Sequence, residues 1–247
     1  MILAIIPARF ASTRFPGKPL VDIMGRSMIQ RVYEQTSKAT LIDKVVIATD
    51  DERIADHAAA FGAEVVMTSP DHPSGTDRCW EALNKLETKF HHVINVQGDE
   101  PFIDPKQIDT LAEVLQNEAT ELATLIGKVR RPEMLTDIGE VKVVINSLND
   151  ALYFSRQPIP FVREAPLAEW GNYHQYYYHV GMYAYRTDIL EKITRLPVSP
   201  LEKSESLEQL RWLENGFSIK CALTDLESYC IETPEDIPKV LEIISRK

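Results

Sequence analysis

KVVIATDDERIADHAAAFG, residues 44–62, decides the fold. Lys44-Val45-Val46-Ile47-Ala48-Thr49 is a short β-branched run of the kind buried in a parallel sheet. Asp50-Asp51 supplies a helix cap, Ile54, Ala55, Ala58 and Phe61 recur at helical spacing, and Gly62 closes the helix. Glu64–Met67 reads as the next strand. The flanking sequence repeats this pattern. Ile2–Ile6 is an apolar strand, followed after a loop by a helix carrying Ile29, Val32 and Tyr33. Downstream come a helix near Thr76–Leu86, a strand Val93–Gln97, a helix with Ile108, Leu111, Ala112 and Leu115, and a strand Leu122–Ile126. Strands separated by helices imply βαβ units, hence an α/β fold on a mainly parallel sheet.

From Val141 to Tyr185 the pattern changes. Lys142–Ile145, Ala151–Phe154 and Tyr177–Tyr185 read as strands without long helices between them, in a stretch rich in proline and tyrosine. The expectation is one domain over 1–247, with an embedded mixed or antiparallel lobe at about 141–200 that lids the site and could form a subunit interface. Helical pattern returns at Thr187–Arg195 and Glu202–Glu214, with Leu207, Leu210 and Leu213 as its core face. A strand near Phe217–Ala222 and a helix from Pro234 follow.

Composition bounds the function. A net charge of −10 argues against a broad nucleic-acid surface and makes any local basic cluster informative. No apolar run reaches the roughly 18 residues that cross a bilayer, and the apolar N-terminus lacks a basic leader. Cys79, Cys221 and Cys230 show no metal-type spacing and cannot all pair, which suits a reducing compartment. These features describe a cytoplasmic protein acting on small molecules.

Ligands of open parallel sheets bind beyond the carboxyl ends of the strands. After the first strand, residues 7–18 (PARFASTRFPGK) gather Arg9, Arg14 and Lys18 with Ser12, Thr13 and Gly17. That mixture of charge and small residues suits a polyphosphate, although neither a P-loop nor a dinucleotide pattern is present. After the fourth strand, Asn95-Val96-Gln97-Gly98-Asp99-Glu100-Pro101 mounts two carboxylates on a rigid turn. Asp99 is the better ligand for a hard divalent cation, and Glu100 should point elsewhere. A turn in which Asp99 caps the next segment fits the same residues. Ser74-Gly75-Thr76 could read a base or phosphate, or cap a helix. Near the end, Thr233 reads as an N-cap with Pro234 in the first helical position, leaving Glu232 free for another role. His179 shares a strand face with Tyr183, His91 and His92 read as exposed, and Glu205, Glu208 and Gln209 share a helix face. No Ser/His/Asp or Cys/His arrangement suggests a covalent nucleophile.

Taken together, these segments resemble the 3-deoxy-manno-octulosonate (Kdo) cytidylyltransferase family. The resemblance runs nearly end to end, through IIPARFASTRFPGKPL from Ile5, VIATDDERI from Val46, DHPSGTDR from Asp71, NVQGDEPFI from Asn95, VKVV from Val141, ALYFSRQPIP from Ala151, HVGMYAYR from His179, SPLEKSESLEQLR from Ser199 and ETPEDI from Glu232. It implies a nucleotide-diphospho-sugar transferase fold (Rossmann-like), a homodimer, and Mg²⁺-dependent coupling of CTP to Kdo for lipopolysaccharide synthesis. By matching positions, Arg9, Ser12, Arg14 and Lys18 would cradle the CTP phosphates, with Arg9, Lys18 and Asp99 carrying catalysis. Ser74, Gly75, Thr76 and Arg78 would recognise cytosine, and Gln97 would sit between nucleotide and sugar. Arg156, Arg163, His179, Tyr183, Glu208 and Gln209 would line the sugar pocket, and Asp99 with Glu232 would hold the metal. Two segments depart from the family pattern. Glu232 stands where aspartate is usual, after Cys230-Ile231 instead of a glycine-rich approach, and Trp170–His174 replaces a DFHQ-type segment. The longer carboxylate leaves open a related acidic sugar such as 8-amino-Kdo, or a catalytically silent CTP- or sugar-binding module.

Overall fold

The computed structural model describes residues 1–11 and 15–246, so Ser12 and Arg14 of the basic loop lie outside the described residues. The backbone divides into two compact units, Met1–Ala112 with Ser228–Lys247, and Glu113–Glu227. The segment at about 141–200 that the sequence marks as a separate lobe falls inside the second unit.

In the first unit, β1 (Ile2–Ala8), β2 (Lys44–Thr49), β3 (Glu64–Met67) and β4 (His92–Asn95) are all parallel, in the order β3-β2-β1-β4. Ile5 pairs with Val46 on one side and Asn95 on the other. Leu3, Ala4, Ile5 and Ile6 are wholly buried, which is why β1 is continuously apolar instead of alternating. The connecting helices are α1 (Met28–Thr36), α2 (Glu52–Ala60) and α3 (Gly75–Lys85), with α4 (Pro105–Val114) after β4. Each of the first three starts at a side-chain cap: Ser27, Asp51 and Ser74 accept backbone N–H groups of their first turns. Gly62, at φ +83°, ends α2 in the left-handed region.

The second unit is mixed. β5 (Leu122–Lys128) pairs antiparallel with β8 (Tyr177–Arg186) and parallel with β9 (Ile219–Thr224). β6 (Lys142–Ile145) pairs antiparallel with both β7 (Ala151–Ser155) and β8. The expected combination of a mainly parallel sheet and a mixed lobe is what forms.

Two details differ from the sequence reading. The helix expected over Glu202–Glu214 is two helices, α7 (Pro200–Glu205) and α8 (Gln209–Glu214). Ser206 sits between them at φ +53°, a left-handed conformation that no continuing helix allows. Glu205, Glu208 and Gln209 therefore do not share one helical face. Trp212, wholly buried, takes the core position expected of Leu213, which is only half-buried. At the end of the chain, α9 spans Asp236–Ser245, so Thr233 is not its N-cap and Pro234 precedes it. Asp236 is instead the acceptor: its Oδ2 takes the Thr233 N–H at 2.9 Å, the Thr233 hydroxyl at 3.0 Å and the Glu232 N–H at 3.2 Å. The Thr233 hydroxyl is thus a donor here, and the carboxylate three residues on reaches back to the Thr233 N–H.

Gly98 fixes the turn after β4. A Cβ added there would lie 2.9 Å from the Pro7 carbonyl oxygen, inside contact distance of rigid backbone. Gly98→Ala should therefore cost about 1–3 kcal/mol and lower the melting temperature; an unchanged melting curve would show that the turn has room to spare.

Candidate active site

A cavity of about 230 Å³ opens at the carboxyl ends of β1 and β4 in the first unit. Arg9 and Lys18 reach it from the loop after β1, Gln97, Gly98 and Asp99 from the turn after β4, and Ser74, Gly75 and Arg78 from the start of α3. Several of the residues named for nucleotide binding thus share one cavity wall. The loop after β1 is closed by the Gly17 N–H donating to the Phe10 carbonyl at 3.0 Å. Gly17 itself lies at φ +72°, a conformation that costs glycine least.

That closure delivers Lys18 to Asp99. The lysine Nζ lies 2.7 Å from Asp99 Oδ2 and donates also to the Ile231 carbonyl at 3.2 Å. The Asp99 carbonyl in turn accepts the Ile231 N–H at 2.9 Å, so the returning C-terminal segment is stitched to the turn. Glu100 points away, as expected, and is buried. Burial first, then the neighbouring Asp99 charge, pushes its carboxyl up to about 7 against a hydrogen bond from Ser228. The adjacent carboxylates thus occupy opposite environments.

Ser74 caps α3 and, with Gly75, also lines the cavity, so capping does not take it away from the cavity wall. Thr76 is buried. Arg78 is buried too, its guanidinium 3.3 Å from Asp50 Oδ1 and 2.5 Å from Thr68 Oγ1. Those partners fix it at the ends of β2 and β3. Sequence reasoning missed His72, which lines the same cavity and bonds through Nε2 to Glu81. Burial would raise Glu81, but hydrogen bonds from Lys85, the Ser69 N–H and His72 bring it down to about 2. The available signal was the place of His72 two residues before Ser74, in the loop that leads into α3.

The second unit gathers most of the residues named for the sugar. His179 and Tyr183 have ring centroids 5.1 Å apart, and Trp212 meets Tyr183 edge-on at 5.0 Å. Tyr183 Oη, Gln209 Nε2 and Trp212 Nε1 are buried without a hydrogen-bond partner among the described residues. Such orphaned groups are costly unless a polar ligand meets them. Glu208 lies 3.3 Å from Arg211 at the start of α8. Arg156 is clasped by backbone: Nε donates to the Glu205 carbonyl at 2.8 Å, Nη1 to that of Ile138 at 2.8 Å, and Nη2 to that of Ser206 at 3.3 Å. Arg163 is not gathered in, being 90% exposed beside Glu164.

Thr124 defines the state of His179. Its hydroxyl donates to the Met182 carbonyl at 2.8 Å, so its oxygen is left to accept from His179 Nε2 at 2.9 Å. Burial among Phe154, Tyr183 and Thr124 pushes the imidazole down to about 3, although its edge is not sealed from solvent. Because the folded value lies below the ordinary 6.5, this neutral ring stabilises the fold above pH 6.5, and that contribution is lost as pH falls towards 3. The His179 ring resonances should stay constant from pH 8 to pH 5 in NMR, whereas a midpoint inside that range would contradict the buried neutral ring.

Comparison with known proteins agrees with this geometry. Residues 3–223 match the cytidylyltransferase family. A 3-deoxy-manno-octulosonate cytidylyltransferase of Cytophaga hutchinsonii is 55% identical over 240 residues, covering 97% of this chain and 96% of the relative. The solved structure of a CMP:2-keto-3-deoxy-manno-octonic acid synthetase complexed with CTP superposes with a TM-score of 0.91 at 40% identity, covering 99% of this chain and 98% of the other. A 4-diphosphocytidyl-2C-methyl-D-erythritol synthase of Anaerococcus prevotii shares the Rossmann-like fold alone, with a TM-score of 0.65 at 15% identity, covering 99% of this chain and 98% of the other. On sequence and structure alike, the chain belongs to the 3-deoxy-manno-octulosonate cytidylyltransferase family of nucleotidyltransferases.

Proposed function

We propose that this chain transfers the cytidylyl group of CTP to Kdo, giving CMP-Kdo and pyrophosphate. The observation that carries this reading is the Lys18–Asp99 pair, set in a cavity at the ends of parallel strands beside Arg9 and the α3 N-terminus. The anomeric 2-hydroxyl oxygen of the sugar attacks the α-phosphorus. The bond from that phosphorus to the bridging oxygen breaks, pyrophosphate takes the electron pair, and the hydroxyl proton passes to solvent. Such chemistry depends on positioning and on charge neutralisation more than on a covalent partner. Arg9 and Lys18 meet the departing pyrophosphate, and Arg14 belongs to the same loop. Ser74, Gly75, Thr76 and Arg78 shape the base end, with Gln97 beside the reacting phosphate.

A magnesium ion fits the donor set. Asp99 is part-exposed on the cavity wall, and Glu232 follows the segment that Asp99 binds through Ile231. Among the described residues no group of three or more His, Cys, Asp or Glu could hold a metal. One or two carboxylates completed by phosphate and water oxygens is the usual arrangement for magnesium. Asp99 and Glu232 would hold the ion, which supplies phosphate charge neutralisation and acidifies the attacking hydroxyl. Lys18, which holds Asp99 at 2.7 Å, is the cation that would share that carboxylate with the ion and face the phosphates.

The orphaned Tyr183 hydroxyl and Gln209 amide, with His179 as a neutral acceptor and Glu208 beside them, suit a polyhydroxylated ligand. Arg156 and Arg163 are the cations assigned to the sugar carboxylate. A homodimer is part of the proposal, supported by the second unit's exposed Phe161 (74%) and Leu152 (59%). No helix among the described residues is long and apolar enough to cross a membrane.

Pyrophosphate release should require CTP, Kdo and Mg²⁺ together, measured beside reactions holding 8-amino-Kdo or no sugar. Asp99→Asn should lower turnover at least a hundredfold while leaving the melting curve intact. Release confined to the amino sugar would reassign the substrate, and CTP binding without turnover on either sugar would make the chain a binding module.

A further inference from the structure

We propose that His72 is the residue that selects cytosine over uracil, accepting a hydrogen bond from the exocyclic amino group of the base, with Glu81 holding its ring in register. This rests on the reading of the cavity as a CTP site with its base end at Ser74–Arg78. His72 stands two residues before Ser74 and lines the same cavity with its side chain 20% exposed.

The protonation pattern follows from Glu81. One oxygen of that carboxylate takes Lys85 Nζ at 2.6 Å, and the other takes the Ser69 N–H at 2.9 Å together with His72 Nε2. A carboxylate in such company only accepts, so Nε2 must carry the ring proton. In the neutral ring Nδ1 is then a lone-pair acceptor, and it has no hydrogen-bond partner among the described residues.

The Gln97 amide and Asp99 carboxylate are acceptors of the turn after β4, and the Ser74 hydroxyl is engaged with Asp77, so the base end otherwise offers the N–H groups at the start of α3 and the Arg78 guanidinium, which donate. Cytosine and uracil differ at one edge by a donor against an acceptor: cytosine carries an amino group where uracil carries a carbonyl oxygen. Donors alone at the base end would favour the carbonyl base. A fixed imidazole lone pair reverses that preference, attracting the amino group and repelling the oxygen. Anchoring of the 69–74 loop does not require the imidazole, because the Ser69 N–H already ties that loop to Glu81.

Dissociation constants for Mg·CTP and Mg·UTP, measured by calorimetry at pH 8.5, test this without depending on turnover. His72→Phe keeps a ring but removes both nitrogens; it should cut the CTP-to-UTP affinity ratio about tenfold, with UTP binding unchanged within twofold. Glu81→Ala leaves the histidine but frees its ring, and should lower the ratio in the same direction. If both nucleotides weaken equally in both variants, the pair is a loop anchor and the proposal is overturned. Should His72→Phe fail to fold, Glu81→Ala and His72→Asn provide the ratio, and an unaltered ratio in both overturns it too. A natural chain that binds UTP as tightly as CTP would sink the CTP reading itself, an outcome visible before any variant is made.

Discussion

Lys18 and Asp99, 81 positions apart in the chain, meet at 2.7 Å, and the organisation of the first unit serves that meeting. The pair exists because β1 and β4 lie side by side and parallel, so that the loops leaving their carboxyl ends emerge together. Beneath it the strands β1 and β4 are largely apolar and buried, and above it the cavity is lined mostly by polar and charged side chains, with Pro7, Ala8, Pro19 and Pro73 among them. An ammonium so close to a carboxylate leaves the cavity with less free charge than its cation count suggests. Any anion that binds Lys18 must compete with Asp99 for it, and any cation that binds Asp99 must compete with Lys18.

The two carboxylates of the same turn show how sharply burial sorts identical chemistry. Asp99 faces solvent and a lysine. Glu100 faces the interior, where desolvation and its neighbour's charge favour the protonated form. A turn that exposes one acid and hides the next leaves a single carboxylate on the cavity side.

Much of this was legible in the sequence because it depends on local pattern. The βαβ run over 44–67, the caps at Asp51 and Ser74 and the burial of Glu100 against the exposure of Asp99 all follow from periodicity and neighbour chemistry. Only the whole-length resemblance proposes which residues would meet which ligand, something no spacing argument could give. What escaped was set by three-dimensional competition. Ser206 breaks a pattern that looks continuous in one dimension. The last helix starts at Asp236 and not after Thr233, whose hydroxyl donates to the Asp236 carboxylate instead of accepting. His72 gains its interest from Glu81, nine residues away on α3, and Trp212 from the aromatic rings around it.

The second acceptor of Lys18 is the carbonyl of Ile231, 213 residues further along. Ile231 also sits in a buried cluster with Ile23, Met28 and Val240, so the last stretch of chain completes what the first stretch begins. On the ribosome, residues 1–112 emerge first, then the whole of the second unit, and only afterwards residues 228–247, which return to the first unit. Contacts of such long sequence separation form late. Until that returning segment has been made, Lys18 can have at most one of its two partners, so the loop after β1 is fastened by the last-made part of its own unit.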